Sequence, residues 1–297
     1  MSIFEGILLG VLQGIAEFLP ISSSGHLQVA QSLLHLDDVP LLFDVFLHLA
    51  TLLAVVLYFR KKIWILLCAF GRLITGRKAP LKVKGLDGTE RTLESEAAVK
   101  VEKNWRMYIL AVILATVITG AIGVVTSKLI GDLSVKFVCA GFICTALLLI
   151  ASALVEKKRA SNVVNSDVVP VNEKSPSWWQ SLVIGFAQGI GTLPGISRSG
   201  STIAGSLFCG INREAAGEFS FIVSIPAILG AFILELKDLG EVSSTVGIEA
   251  LLAGCAAAFA SGYIALTLLM KIIKSGKLEW FACYLIPVGI LGIIFLH

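Results

Sequence analysis

QGIAEFLPISSSG, from Gln13 to Gly25, and QGIGTLPGISRSG, from Gln188 to Gly200, decide how this chain folds. Both read Gln-Gly-Ile, then Leu-Pro, then Ile-Ser-x-Ser-Gly. Each lies in a stretch too apolar for a soluble surface and too broken for one continuous helix across a bilayer. In the second, Arg198 stands alone: no charge occurs from Gln180 to Ser197, and none from Ser199 to Ile211.

The chain around these stretches belongs in a membrane. Its 297 residues are 56% hydrophobic and 15% charged, and the mean hydropathy is +0.87. Soluble domains do not tolerate that balance. The uncharged runs Met107–Ser127, Phe137–Val155, Ala250–Met270 and Trp280–His297 each approach the length a bilayer demands, roughly 17–25 residues. Val45–Phe59 and Phe219–Leu234 are shorter spans of the same kind. The start of the chain lacks a basic segment, so no cleaved signal peptide is expected. The six cysteines mostly lie in apolar segments without metal-ligand spacing and read as packing residues. The net charge of +3 gives no reason to expect a nucleic-acid partner, and a homodimer is left open.

Two regions enter the bilayer without crossing it. Ile3–Leu19 is broken by Pro20 and the run Ser22, Ser23, Ser24, Gly25, and the arm that follows, His26–Leu36, is short. At about 1.5 Å per residue it covers roughly half the hydrocarbon core. Gln180–Ile211 is broken at Pro194 and Gly195, and its second arm is again too short to cross. Short apolar arms joined by a Pro/Gly/Ser break predict re-entrant helical hairpins, with two kinked spans as the alternative. Irregular backbone survives at that depth only inside protein or beside a wet cavity.

The two regions head two halves of an internal repeat. After each comes a span opening with phenylalanine, Phe43 and Phe219, with Leu53 and Leu229 at matching offsets. The expected architecture is an all-α polytopic membrane protein: a single integral membrane domain over 1–297, with repeat 1 at 1–156 and repeat 2 at 177–297. Six transmembrane helices (41–59, 107–128, 134–155, 216–236, 247–273 and 280–296) join two re-entrant helical hairpins. Three spans per half is odd, so the second half enters from the opposite side, giving an inverted-topology repeat with both tips near the midplane. Of the 24 lysines and arginines, all but Lys128, Lys136, Lys237 and Arg198 fall on one side. That side is cytoplasmic by the positive-inside rule, and both termini are then outside. Cytoplasmic loops are expected at about 60–105 and 156–177, with an interfacial helix at Ile63–Gly71.

Ionisable groups inside a membrane are costly and usually face a functional cavity. Here they are Glu17, His26, Asp44, His48 and Arg198. Gln13 and Glu17 share a helix face, as do Asp44 and His48. Each tip opens a new helix, whose free N–H groups and positive dipole end favour an anion. Arg198 adds a fork suited to phosphate oxygens, and Thr202 a hydroxyl one turn on. The bland alternatives are an Arg198–Glu17 structural pair, serines that only permit close helix packing, and a mutual Asp44–His48 pair.

With these residues in view, the sequence resembles the undecaprenyl pyrophosphate phosphatase family. The resemblance rests on Gln13-Gly-Ile-Ala-Glu17-Phe-Leu-Pro-Ile-Ser-Ser-Ser-Gly-His26 and on Leu193-Pro-Gly-Ile-Ser-Arg-Ser-Gly-Ser-Thr202, and it covers essentially the whole chain. It implies a bacterial plasma-membrane enzyme that hydrolyses the C55 isoprenoid diphosphate to the monophosphate and phosphate. Such an enzyme recycles the carrier lipid of wall synthesis, confers bacitracin resistance and uses a divalent cation, Mg2+ or Ca2+. The match carries over to Glu17, Ser23, His26, Ser197, Arg198 and Thr202. Gln13 stands where many members have a second acid. On this resemblance Glu17 and Gln13 hold the cation, while Arg198 and the second tip, with Ser197, Ser199, Gly200 and Thr202, hold phosphate oxygens. Ser23 is the candidate nucleophile, with His26 or Glu17 handling its proton. Attack by water or by His26 stays open. The cavity is expected to open to the outer face. The rival class is a transporter or flippase of the polyprenyl phosphate, which would need the same phosphate clamp.

Overall fold

The computed structural model describes residues 1–36, 39–77, 82–84, 90–92, 95–129, 134–162, 175–235 and 246–296. Among the described residues the regular elements are helices, apart from two three-residue antiparallel strands, Lys82–Lys84 (β1) with Glu90–Thr92 (β2). In chain order the helices are α1 (Ile3–Phe18), α2 (Ser23–Leu33), α3 (Leu41–Tyr58), α4 (Arg60–Thr75), α5 (Ser95–Leu129), α6 (Val135–Asn162), α7 (Trp178–Ile190), α8 (Arg198–Phe208), α9 (Arg213–Glu235), α10 (Ile248–Ser275) and α11 (Trp280–Phe295).

Among the described residues, five segments are long and apolar enough to cross a membrane: Leu41–Tyr58, Val99–Thr126, Val135–Arg159, Arg213–Leu234 and Ile248–Ser275. The sixth expected span corresponds to α11, an apolar helix of 16 residues. At about 1.5 Å per residue it reaches about 24 Å, short of a full crossing. The long loop expected at 60–105 is largely helical instead. Helix α4 occupies Arg60–Thr75, enclosing the expected interfacial helix, and α5 already begins at Ser95. Arg72 of α4 grips Glu102 of α5 through Nε and Nη2, at 2.8–3.1 Å. Charged residues that read as loop are therefore pairing between helices. In the second expected loop α6 runs on to Asn162, and residues 163–174 lie outside those described. The cysteines are not uniformly packed: Cys139 is buried, but Cys144 and Cys283 are exposed.

Helix α1 starts with a capping box, in which Ser2 Oγ accepts from Glu5 N and Glu5 Oε2 accepts from Ser2 N. Its Gly6, Gly10 and Gly14 form one stripe. A Cβ at these positions would stand 2.5, 2.2 and 2.5 Å from the carbonyl oxygens of Ala250, Gly254 and Ala258. Backbone therefore meets backbone along the α1–α10 seam, the close approach that small residues permit in a membrane. Helix α7 uses Gly185 against the Ala115 backbone of α5 in the same manner.

Packing follows one scheme in both halves. Helix α1 packs on α2 and α10, and α7 on α8 and α5. Helix α3 packs on α10, and α9 on α5; α3 meets α9, and α6 meets α11. Thus α1 lies against the late span α10, and α7 lies against the earlier span α5. Beneath the two breaks lies a core with Phe18, Phe59, Tyr108, Phe219 and Phe221.

Candidate active site

The first break runs from Leu19 to Ser22. Pro20 offers no N–H, and Ser22 adopts φ +71°, a strained backbone for a residue with a Cβ, costing about 1–3 kcal/mol. Two hydrogen bonds hold it: the Ser22 carbonyl accepts from His26 N at 3.1 Å and from His26 Nδ1 at 2.8 Å. The second break runs from Gly191 to Ser197. Gly195 has φ +86°, and a Cβ there would lie 2.1 Å from the Val138 carbonyl oxygen, so only glycine fits. Ser197 caps α8 by accepting from Gly200 N at 3.1 Å, and its own N–H donates to Thr145 Oγ1 at 3.0 Å. The two breaks touch. A Cβ at Gly200 would lie 3.2 Å from Pro20 Cβ, and one at Gly25 3.0 Å from Gly195 Cα.

Side chains from both breaks converge on buried Glu17. Its Oε1 pairs with Arg198 Nη2. Its Oε2 accepts from Ser23 Oγ at 2.6 Å and from Gln13 Nε2 at 3.1 Å, and His48 Nε2 stands 3.4 Å away. A carboxylate can accept about four hydrogen bonds, so its capacity is nearly used. Two groups keep capacity to spare. Arg198 Nη1 and Gln13 Oε1 are buried with no hydrogen-bond partner among the described residues. An orphaned guanidinium donor costs about 1–3 kcal/mol or more, and a phosphate oxygen is the ligand that satisfies it best. The arrangement thus combines an anion clamp, a hydroxyl and a proton acceptor within reach of one another.

The other expected residues are distributed differently. Thr202 Oγ1 is held within its own half by the carbonyls of Arg198 and Ser199, at 3.0 and 3.1 Å, and by the Ser220 hydroxyl. Ser197 and Ser199 exchange a hydroxyl hydrogen bond at 3.2 Å. These three side chains brace the second tip. His26 lies at the start of α2, with Nε2 2.9 Å from the Tyr284 hydroxyl and the ring against Phe142. Asp44 and His48 are not joined carboxylate to ring: His48 Nδ1 donates to the Asp44 backbone carbonyl at 2.7 Å, while Asp44 Oδ1 accepts from Gln31 Nε2 at 2.9 Å. Tyr284, Thr145, Gln31 and Ser220 carry no local signal in the sequence. The approach of His48 to Glu17 carries no local signal either, since its spacing of four points only to Asp44.

No group of three or more His, Cys, Asp or Glu side chains gathers among the described residues. The protein's own oxygen donors at this place are the Glu17 carboxylate and the unpartnered Gln13 Oε1. That thin set fits a hard cation in the manner of Mg2+, which takes one or two protein oxygens and draws the rest from phosphates and water.

The sequence pattern of the family described as bacitracin resistance protein BacA matches residues 6–291. The chain is 44% identical over 291 residues to the undecaprenyl-diphosphatase of Treponema denticola, covering 98% of this chain and 96% of that protein. It is 37% identical over 297 residues to the undecaprenyl-diphosphatase of Alkaliphilus metalliredigens, covering 99% of each. A similar protein of the same name from Borrelia recurrentis is 35% identical over 287 residues, 97% of this chain and 96% of that one.

Proposed function

The chain belongs to the bacitracin resistance protein BacA family, and from that premise we propose that this multi-pass membrane protein hydrolyses undecaprenyl diphosphate to undecaprenyl phosphate and phosphate where the two tips meet. The observation that carries the reading is the convergence on Glu17 of a hydroxyl from one tip and a guanidinium from the other.

The diphosphate enters with its prenyl tail among the helices. Arg198 turns from Glu17 to the phosphate oxygens, and its buried Nη1 gains a partner there. Release from Arg198 leaves Glu17 Oε2 on the Ser23 hydroxyl as a base. Ser23 Oγ attacks the terminal phosphorus and Glu17 takes its proton. The bond from that phosphorus to the bridging oxygen breaks, and undecaprenyl phosphate leaves. Glu17 passes the Ser23 proton to the departing bridging oxygen. Water then attacks the phosphoserine and gives a proton to Glu17, the phosphorus–Oγ bond breaks, Glu17 returns the proton to Ser23 Oγ, and phosphate departs. The N–H groups at the start of α8 and Arg198 offset the charge that develops on the equatorial oxygens. A bound Mg2+ or Ca2+, held by Glu17 and Gln13, would neutralise further phosphate charge there.

The same reading gives the fold its direction. We take α1–α2 and α7–α8 as re-entrant hairpins of an inverted repeat. The mutual packing of the halves and the paired motifs support this. The lysine and arginine bias supports a cytoplasmic side at the α3–α4 junction and at the start of α9, and so puts the ends of the first hairpin, with Glu17 and Ser23, toward a cavity open outward. The symmetric packing would also suit a flippase of the monophosphate. A flippase has no need of a serine hydroxyl hydrogen-bonded to a buried carboxylate, so hydrolysis is the better reading.

Phosphate release by the purified protein in detergent tests it. Ser23→Ala is expected to lower turnover about 100-fold or more. Ser24→Ala stays within about threefold, as for a substitution away from the chemistry. Equal and mild losses in both would make water the nucleophile.

A further inference from the structure

We infer that Tyr284, through His26, is a positioning residue that sets the Ser23 hydroxyl on Glu17. The inference rests on the Ser23–Glu17 reading above and assigns work to a residue in the last helix, far from either motif.

A backbone carbonyl can only accept, so the 2.8 Å contact between His26 Nδ1 and the Ser22 carbonyl requires a proton on Nδ1. The ring is buried against Phe142, with centroids 4.7 Å apart, an apolar setting that favours neutral imidazole. In the neutral ring Nε2 is then an acceptor, and the Tyr284 hydroxyl at 2.9 Å donates to it. The Tyr284 ring is stacked on His26 at 17° between planes, 5.7 Å between centroids. Both ring nitrogens are thereby committed. His26 has no free nitrogen to exchange protons with Ser23, and its ring meets Tyr284 of α11 and Phe142 of α6.

What the committed ring does is mechanical. It clasps the carbonyl of Ser22, the non-glycine residue held at φ +71° in this break. Ser23 is the next residue, and its Oγ stands 2.6 Å from Glu17 Oε2. A relaxed Ser22 would swing the start of α2 and take that hydroxyl off line. Misplacement of about 1 Å can cost roughly 100-fold in rate. Tyr284 completes the clasp by fixing the tautomer and tilt of His26, as an outer partner does for a ligating histidine.

Steady-state kinetics of the purified full-length chain with undecaprenyl diphosphate tests this, with folding followed by thermal unfolding in the same detergent. Tyr284→Phe keeps the ring and removes the donor; kcat should fall about tenfold, as for loss of one buried hydrogen bond, with KM within about twofold. His26→Asn places an amide N–H near the position of Nδ1, so it should keep about a tenth of wild-type kcat, whereas His26→Ala should lose about 100-fold. Tyr284→Phe added to His26→Asn should cost nothing more, because the two act as one unit. Wild-type kcat in Tyr284→Phe, additive losses in the double variant, or His26→Asn as inactive as His26→Ala would overturn the inference; the last result would return His26 to proton transfer or attack. Ser23→Ala run alongside separates the two levels. If it turns over normally, the serine reading itself fails; if it is inactive while the Tyr284 and His26 results go the wrong way, only the clasp fails.

Discussion

A lysine at position 198 would keep the positive charge that pairs with Glu17 but lose the planar fork. The structure makes the fork matter, because Nη2 engages Glu17 while Nη1 is buried and unpartnered. Lysine offers one point of charge where two directed donors are needed. Arg198→Lys is expected to lose about 10- to 100-fold in kcat/KM, an amount in keeping with charge-assisted hydrogen bonds of about 1.5–3 kcal/mol. Phosphate-release kinetics would reveal it, and near-normal turnover would reduce Arg198 to a counter-charge. At this scale the sequence was legible where charge is out of place: Glu17 and Arg198 stand out in any apolar run. It was silent on Tyr284, because an aromatic residue in an apolar helix looks the same whether it meets lipid or a histidine 258 positions away.

Among the elements, the second break depends on Gly195. Its positive φ and the Val138 carbonyl 2.1 Å from a would-be Cβ leave no room for alanine. Gly195→Ala should push the break off α6, shift Ser197 from Thr145, and lower both the yield of folded protein and the turnover by tenfold or more. Size-exclusion profiles and phosphate release of the variant test this; a well-folded, active Gly195→Ala would mean the break yields easily. The helix–break–helix pattern of both motifs was readable because Pro20, Pro194, Gly195 and the serine runs interrupt apolar arms of the wrong length. The helical nature of 60–75 and 95–106 was not. There the mixed charges that suggest a solvated loop serve as helix contacts, Arg72 of α4 with Glu102 of α5, and Arg106 with Glu102 one turn back along α5. The stripe Gly6, Gly10, Gly14 announces close approach but not its partner, since any smooth helix face would accept it; only the folded chain identifies α10.

For the whole molecule, the reading makes one site from two halves and gives it a side. If the cavity opens outward, Ser24→Cys, beside Ser23, should react with a membrane-impermeant thiol reagent in intact cells, in a background with the native cysteines removed. Undecaprenyl diphosphate should protect it. Labelling only in inside-out vesicles would reverse the orientation. The most direct test of the central claim is phosphate release from undecaprenyl diphosphate by purified Glu17→Gln protein. That substitution keeps the size of the side chain but removes the charge that faces Arg198 and the acceptor for the Ser23 proton. A loss of at least about 100-fold in kcat is expected, in protein that still unfolds cooperatively though at a lower midpoint, because Arg198 loses its counter-charge; wild-type turnover by Glu17→Gln would contradict this.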